Sequence, residues 1–162
     1  KDCDVIFLPI YYTEAGLIAK TCTAKGCEAF LFGCDGLDGV AAQIDSTVTN
    51  KISYITPFDV NSTDAVPKKF VDAYKAKYNE TPDQFAADGY DCVYAIYEAL
   101  KASDANASMT ASELGDILIA AFAGDFSFDG LTGDGMTWAA DGTVSKSPKG
   151  MVIENGAYVG LD

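Results

Sequence analysis

Residues 5–33 read VIFLPIYYTEAGLIAKTCTAKGCEAFLFG, and this stretch decides the fold. The apolar run 5–8 suits a short strand that is buried on both faces. A helix is predicted to open near Thr13 and to end at Gly26, which is a suitable C-terminal cap. A second apolar run, 29–32, follows at once. Strand, helix and strand joined by short connections form the βαβ unit of a parallel sheet.

The pattern continues beyond this unit. In the first helix, the side chains predicted to face the sheet are Leu17, Ile18 and Cys22. A further helix is predicted over residues 40–47, and the alternating run 52–56 is predicted to form the third strand.

Three helices are predicted to follow without an intervening strand. Two of them begin with a proline at the first helical position, Pro67 and Pro82. Thr110 opens a capping box, so a third helix is predicted to run to about Phe122. The apolar positions of the Pro82 helix follow the helical period: Phe85, Val93, Ile96, Tyr97 and Leu100.

The end of the chain has a different character. Glycines punctuate short β-prone runs such as 136–138 and 151–153. An antiparallel, β-rich tail is therefore predicted.

Composition excludes several classes of function. The 162 residues include 24 acidic residues and 11 lysines but no arginine or histidine, which gives a formal net charge of −13. Nucleic acid is therefore a poor partner. Neither a histidine-based catalytic triad nor a histidine-based zinc site is available. Composition alone does not exclude an enzyme that works with carboxylate, tyrosine, lysine or cysteine side chains. The chain is expected not to be an enzyme, and no catalytic residue, metal or cofactor is assigned.

The five cysteines form no CxxC motif, and they are interpreted as free buried thiols. Cys22 and Cys27 flank the predicted end of the first helix, so a local disulfide is an alternative. No signal peptide, lipidation motif or transmembrane run is visible. Because the first residues read as a strand already under way, we expect a fragment that begins in mid-fold and whose export signal lies upstream.

A candidate binding site lies where two predicted strands end. Tyr11 and Tyr12 follow the first strand and Asp35 follows the second, so a parallel sheet brings them to one edge. A carboxylate beside an aromatic ring is a suitable receptor for an ammonium group. Taken without further information, Asp in a glycine-rich loop more often forms a turn, and Tyr at a strand end more often packs.

Four stretches resemble the type 1 substrate-binding proteins of ABC transporters, of the branched-chain amino-acid type. They are 4–15 (DVIFLPIYYTEA), 32–39 (FGCDGLDG), 81–91 (TPDQFAADGYD) and 128–133 (FDGLTG). The resemblance spans nearly the whole chain.

The resemblance implies an α/β fold, the C-terminal half of a two-lobe, Rossmann-like periplasmic-binding-protein fold with a parallel sheet and flanking helices. Residues 1–56 would be a second-lobe βαβ segment and 57–148 a first-lobe helical segment. Residues 149–162 would be a strand returning to the second lobe.

The resemblance also implies the site. Tyr11 and Asp35 match the tyrosine and the acidic residue that the second lobe contributes, and Tyr12 is an adjacent candidate. Phe85 and Asp88 fall in the segment that lines the first-lobe side of the cleft, although Asp88 is equally consistent with an exposed helix residue.

The implied function is reversible binding of an amino acid or similar small zwitterion, for delivery to a membrane permease. The implied location is extracytoplasmic, as a periplasmic protein or a cell-surface lipoprotein. Three alternatives stay open: a ligand-sensing domain of a receptor, a fragment with no binding activity of its own, and an enzyme that uses Asp35 and Asp38 as a carboxylate pair.

The predicted helices between residues 57 and 122 lack a sheet of their own. Each large apolar side chain left in water costs on the order of 1.5–3 kcal/mol. Self-association, or docking with the missing N-terminal half, is therefore expected to cover them.

Overall fold

The computed structural model describes residues 3–161, which form a five-stranded sheet with flanking helices. The strands are β1 (Val5–Leu8), β2 (Phe30–Gly33), β3 (Ile52–Thr56), β4 (Lys149–Glu154) and β5 (Ala157–Leu161). The helices are α1 (Tyr12–Ala24), α2 (Ala65–Tyr78), α3 (Gln84–Lys101) and α4 (Ala111–Phe122). Lys1 and Asp2, where the sequence predicts a strand already under way, and Asp162, the end of the predicted returning strand, lie outside the described residues.

The sheet is mixed, in the order β1-β2-β3-β4-β5. The first three strands are parallel, whereas β4 and β5 each pair antiparallel with the strand before them. Leu8 pairs with Gly33, and Gly33 pairs with Tyr54, so β1, β2 and β3 end at the same edge of the sheet. The predicted α/β class, the βαβ unit and the antiparallel ending are confirmed.

Small residues bring α1 close to the sheet. Ala15, Gly16 and Ala19 are its buried residues. A Cβ atom on Gly16 would stand 2.6 Å from the Cβ of Gln43, so only glycine fits there. Leu17 is 62% exposed, and its predicted inward orientation is wrong because the small residues form the packed face.

Residues 40–47 do not form the predicted helix. Two short 3-10 turns, Asp35–Leu37 and Val40–Gln43, are followed by irregular chain. The Asp45 carboxylate accepts a 2.9 Å hydrogen bond from the backbone N–H of Thr47. This local bond competes with helical hydrogen bonding and ends the helical path early.

The helix starts also differ from the prediction at the two prolines. Pro67 is the third residue of α2, and Pro82 lies two residues before α3. N–H groups in the first turn have no intrahelical partner, so Pro67 removes no hydrogen bond. The capping box at Thr110 is confirmed, because Glu113 N–H donates to its hydroxyl and the Glu113 carboxylate accepts from its N–H.

α3 buries small and polar side chains rather than its large apolar ones. The buried face includes Ala87, Asp91, Ala95 and Ala99. Phe85, Val93, Ile96 and Tyr97 are 37–66% exposed. No strand lies between residues 57 and 122, all of which are described.

The tail is less regular than predicted before β4. Met136 and Trp138 form single antiparallel bridges to Phe128 and Val144, not a strand. The Asp91 carboxylate organises this region by accepting from the backbone N–H groups of Leu131 and Thr132, at 2.8 and 2.9 Å. It also accepts a 2.7 Å bond from the Thr132 hydroxyl.

The chain divides into two compact units. One comprises the residues up to Gln84 together with those from Pro148 onward, and the other is Phe85–Ser147. α2 therefore belongs to the same unit as the sheet, so this division does not fall at residue 57. The assignment of segments to two lobes stays a prediction.

A buried polar network holds the carboxyl edge of the sheet. The Asp38 carboxylate accepts a 3.0 Å bond from the Tyr54 hydroxyl and a 2.7 Å bond from the backbone N–H of Gln84. The Thr56 hydroxyl lies 2.8 Å from Oε1 of Gln84. The ring of Tyr158 lies edge-on to that of Tyr54, with 6.4 Å between the ring centroids.

Replacement of Asp91 by Asn should destabilise the unit Phe85–Ser147. An amide cannot accept from all three donors, so a buried N–H loses its partner at a cost of about 1–3 kcal/mol. Chemical denaturation measures the change. Asp134→Asn is the matched control, because Asp134 is exposed in the same region. Equal stability of the two variants would contradict this role.

Alkaline pH should destabilise the sheet unit through two tyrosines. Burial, and secondly the charge of Asp38, raise the pKa of Tyr158 to about 12, and the same causes raise the pKa of Tyr54 further. A tyrosine in the unfolded chain titrates near pH 10. The stability of the fold with both phenols protonated is therefore complete below pH 10 and is lost as pH rises through 12.

We expect the free energy of unfolding to fall by roughly 2 kcal/mol from Tyr158 over this range. Tyr158→Phe should flatten the decline, and Tyr97→Phe, at an exposed position, should leave it intact. An identical alkaline profile for both variants would show that Tyr158 is not responsible.

Candidate functional site

Two loops meet at the carboxyl edge of the parallel strands. One follows β1 and contains Tyr11, and the other follows β2 and contains Asp35. A Cβ atom on Gly36 would stand 2.6 Å from the carbonyl oxygen of Ile10 and 3.6 Å from Cα of Tyr11. The two backbones are therefore in contact, and glycine at position 36 permits it.

Tyr11 stands at the start of α1 with its side chain in solvent. It is the N-cap residue, with extended backbone angles, and its carbonyl accepts a 3.0 Å bond from Ala15 N–H. The side chain is 64% exposed. The helix start thus fixes the Tyr11 backbone while the ring stays accessible.

Tyr12 has a different environment from Tyr11. It is half-buried, and its ring lies 3.2 Å from the position that a Cβ on Gly39 would occupy. Gly39 has φ +99°, a conformation that favours glycine. The ring of Tyr12 therefore packs on the 3-10 turns that follow Asp35.

Asp35 is exposed, but its backbone is held on two sides. Its carbonyl accepts a 3.2 Å bond from Nε2 of Gln84 and a 3.0 Å bond from Asp38 N–H. Gln84 is itself buried. The carboxylate therefore projects from a fixed backbone, which lowers the cost of ordering it around a ligand.

Asp38 does not form a carboxylate pair that faces solvent with Asp35. Asp38 is buried, and its two oxygens accept from Tyr54 and Gln84. Burial raises the pKa of Asp38, against the lowering effect of these hydrogen bonds. The proposed enzymatic pair is wrong, because one of its members supports the fold.

Phe85 and Asp88 lie on α3, in the unit Phe85–Ser147. Phe85 is partly exposed, with 37% of its surface accessible. Asp88 accepts a 2.7 Å bond from the ammonium group of Lys146. The Asp88 charge is thus balanced within its own unit.

Sequence reasoning missed Gln84 as the residue that supports the site. Gln84 contacts Asp35, Asp38 and Thr56, which are far from it along the chain. The available signal was its place in the stretch 81–91, directly after Pro82. That signal predicts a helix start and does not identify what the side chain binds.

Over residues 3–161, no group of three or more His, Cys, Asp or Glu side chains is arranged to hold a metal ion. Within the same range, no helix is both long enough and apolar enough to cross a membrane.

Comparison of the chain with known proteins identifies the fold. The chain is similar over 99% of its length to the branched-chain amino acid transporter substrate binding protein LivJ from Streptococcus pneumoniae, solved with isoleucine, at 33% identity and a TM-score of 0.80. Leucine binding protein LivK from Thermotoga maritima has 22% identity and a TM-score of 0.78 over 98% of the chain. A solute binding protein from R. palustris, in complex with benzoate, has 21% identity and a TM-score of 0.80 over 98% of the chain.

The chain spans 45%, 44% and 42% of the length of these three proteins. No curated protein sequence gives a significant match. A family profile described as periplasmic binding protein matches residues 1–156. The match covers nearly the whole chain and confirms the resemblance noted in the sequence, and the chain belongs to the periplasmic binding protein family.

Proposed function

We propose that the native protein containing this chain is the substrate-binding component of an ABC transporter, and that its ligand is an amino acid or a similar small zwitterion. It works outside the cytoplasmic membrane and delivers the ligand to a permease. Family membership supports the ligand-binding role, and the relatives bind small molecules. The proposal that the ligand is an amino acid is based on the residues of the site, Tyr11 and Asp35.

The observation that carries the proposal is the contact between the Tyr11 and Asp35 loops. Both side chains are accessible at one edge of the sheet, and both backbones are fixed by hydrogen bonds. Neither side chain is sealed in the interior. An aminated ligand would therefore meet an acid and an aromatic ring from adjoining loops.

Each of the two residues has a distinct role. The Asp35 carboxylate accepts charge-assisted hydrogen bonds from the ligand ammonium group, worth about 1.5–3 kcal/mol. The Tyr11 ring packs against the ligand and adds a cation–π attraction to its ammonium group. Tyr12 supports this edge by packing, and Phe85 and Asp88 are secondary candidates, of which Asp88 is already paired with Lys146.

Charge argues for a zwitterion rather than a simple anion. The R. palustris relative was solved with benzoate, which lacks an ammonium group. Here both ionisable carboxyl residues in the segment 34–39, Asp35 and Asp38, are acidic, and the chain carries a net charge of −13. An anion without an amino group would be repelled by Asp35.

No bond to the ligand has to form or break in this function. The family mechanism implied by the resemblance is closure of two lobes on the ligand, in which the closed state is selected because it binds the ligand more tightly. The remaining ligand contacts would come from parts of the fold outside residues 1–162, since the relatives are more than twice as long.

Asp35→Asn should reduce amino-acid affinity about 10- to 150-fold, because the variant removes the charge that holds the ammonium group. Isothermal titration calorimetry of the native protein, in its full length, against a panel of amino acids measures this change. The fold should be retained, since the hydrogen bonds of Asp35 at this edge are made by its backbone.

Two controls make this test specific. Asp4→Asn removes the same charge at an exposed position just before β1, at the opposite edge of the sheet, and should leave affinity unchanged. Benzoate should bind more tightly to Asp35→Asn than to the unaltered protein. Unchanged amino-acid affinity in Asp35→Asn would remove this residue from the site.

Tyr11 should act through its ring more than through its hydroxyl. Tyr11→Phe keeps the ring face and should keep most of the affinity, whereas Tyr11→Ala should reduce it about 10-fold or more. Leu17→Ala, at an exposed position of α1, is the control. Equal affinity for the Phe and Ala variants would mean that the ring makes no contact with the ligand.

A further inference from the structure

Two cysteines occupy paired positions at the C-terminal end of α1. The Cys27 N–H donates to the Cys22 carbonyl at 2.9 Å, and the Gly26 N–H donates to the Thr23 carbonyl at 3.0 Å. Gly26 has φ +66°. This is a Schellman motif, in which the side chains at the positions of Cys22 and Cys27 usually make an apolar contact. Here both positions carry thiols.

The backbone bond places the two cysteines next to each other, and both are accessible. Burial raises the pKa of Cys22 first, and the hydrogen bond that its thiol donates to the Cys27 sulfur raises it next. Both side chains are partly exposed. The interpretation of the cysteines as buried thiols is therefore wrong: none of the five is buried.

The backbone around Cys27 is held in place by a buried amide. Nδ2 of Asn50 donates to the carbonyls of Cys27 and Ala29, at 2.8 Å each. The Thr23 hydroxyl, on the last turn of α1, donates to Oδ1 of the same Asn50 at 3.0 Å. The Asn50 side chain therefore holds the last turn of α1 and the Cys27 backbone together. It keeps the two cysteines close to each other, as a disulfide requires.

We propose that Cys22 and Cys27 form an intramolecular disulfide that closes the C-terminal end of α1 onto the segment leading into β2. This is a modification site separate from the proposed ligand site, since Cys27 lies before β2 and Asp35 lies after it. Disulfides persist in oxidising compartments. The proposed extracytoplasmic location is such a compartment, but the pairing can be tested on the purified protein.

The reaction is thiol–disulfide exchange with the disulfide of a thiol oxidoreductase or of a small-molecule oxidant such as oxidised glutathione. One protein thiol loses its proton and attacks a sulfur of the oxidant, which gives a mixed disulfide and one reduced oxidant thiol. The second protein thiol loses its proton and attacks the protein sulfur. The S–S bond forms, and the oxidant receives both electrons and both protons as two thiols.

Cys3 is a neighbouring competitor. Its charge contributes to the raised pKa of Cys22, and it lines a shallow depression together with Cys27. Cys3 lacks the backbone hydrogen bonds that place Cys22 and Cys27 together. We therefore assign it as a free thiol. A disulfide between Cys3 and either partner is a separate, distinguishable outcome.

Peptide mapping tests the pairing directly, because Lys25 lies between the two cysteines. Trypsin separates peptide 21–25, with Cys22, from peptide 26–51, with Cys27 and Cys34. A second protease that cuts after Glu28 separates Cys27 from Cys34. The native protein is treated with oxidised glutathione, its free thiols are alkylated, and it is digested without reduction.

The expected product is a linked peptide pair, 21–25 with 26–28, that lacks two hydrogens relative to the sum of its parts and separates on reduction. Cys3, Cys34 and Cys92 should carry the alkyl label. Full alkylation of Cys22 and Cys27 after oxidation, or a link from either of them to Cys3, would overturn the proposal.

A stability measurement provides a second readout. The oxidised protein should melt about 5 °C above the reduced protein. The double variant Cys22→Ser/Cys27→Ser should lose this dependence on reductant, whereas Cys92→Ser should keep it. A dependence on reductant that persists in the double variant would place the redox-sensitive bond elsewhere and refute the assignment.

Discussion

The carboxylate of Asp38 is buried at the carboxyl edge of the sheet, and the arrangement of that edge depends on it. Removing a carboxylate from water is costly, and the raised pKa of Asp38 shows that burial outweighs the two hydrogen bonds it accepts. Those bonds tie β3, through Tyr54, to the first residue of α3, Gln84. Gln84 in turn reaches the carbonyl of Asp35. The buried Asp38 carboxylate thus positions the exposed Asp35 through Gln84.

Close backbone approach is the second requirement of this edge. Gly36 allows the turn after β2 to touch the loop after β1, and Gly39 accepts the ring of Tyr12 against its backbone. A methyl group at Gly36 would stand 2.6 Å from the Ile10 carbonyl and force the loops apart. The glycine-rich sequence around Asp35 therefore serves the placement of Tyr11 and Asp35 relative to each other.

Sequence reasoning succeeded where the evidence was local or topological. The apolar runs predicted β1, β2 and β3, and the rule that parallel strands end at one edge placed Tyr11 and Asp35 on adjoining loops. It failed where tertiary contacts decide the outcome. Leu17 follows the helical pattern, but α1 packs through smaller residues, and the 40–47 segment leaves the helical path at the Asp45 turn.

The buried network was hidden for a related reason. Asp38 and Gln84 are 46 residues apart, and each is ordinary in its local context: an aspartate in a glycine-rich loop, and a glutamine at a helix start. No periodicity marks a polar residue as buried, because the partners that satisfy it come from other elements. The same limit applied to the cysteines, whose exposure depends on how the elements around them pack.

α1 connects the two proposed sites. Tyr11 precedes its first residue, and Cys22 lies in its last turn, so 11 residues of helix separate them by about 16 Å along its axis. Gly16 fits closely against Gln43 in the middle of the helix. A disulfide at the C-terminal end would add a second restraint on rotation and sliding of the helix on the sheet. The start of the helix, and with it the Tyr11 backbone, would then be restrained by a covalent bond that touches no ligand. The Cys22–Cys27 disulfide would affect ligand binding only through the rigidity of the helix. It would change the entropic cost of ordering the site and not the contacts with the ligand.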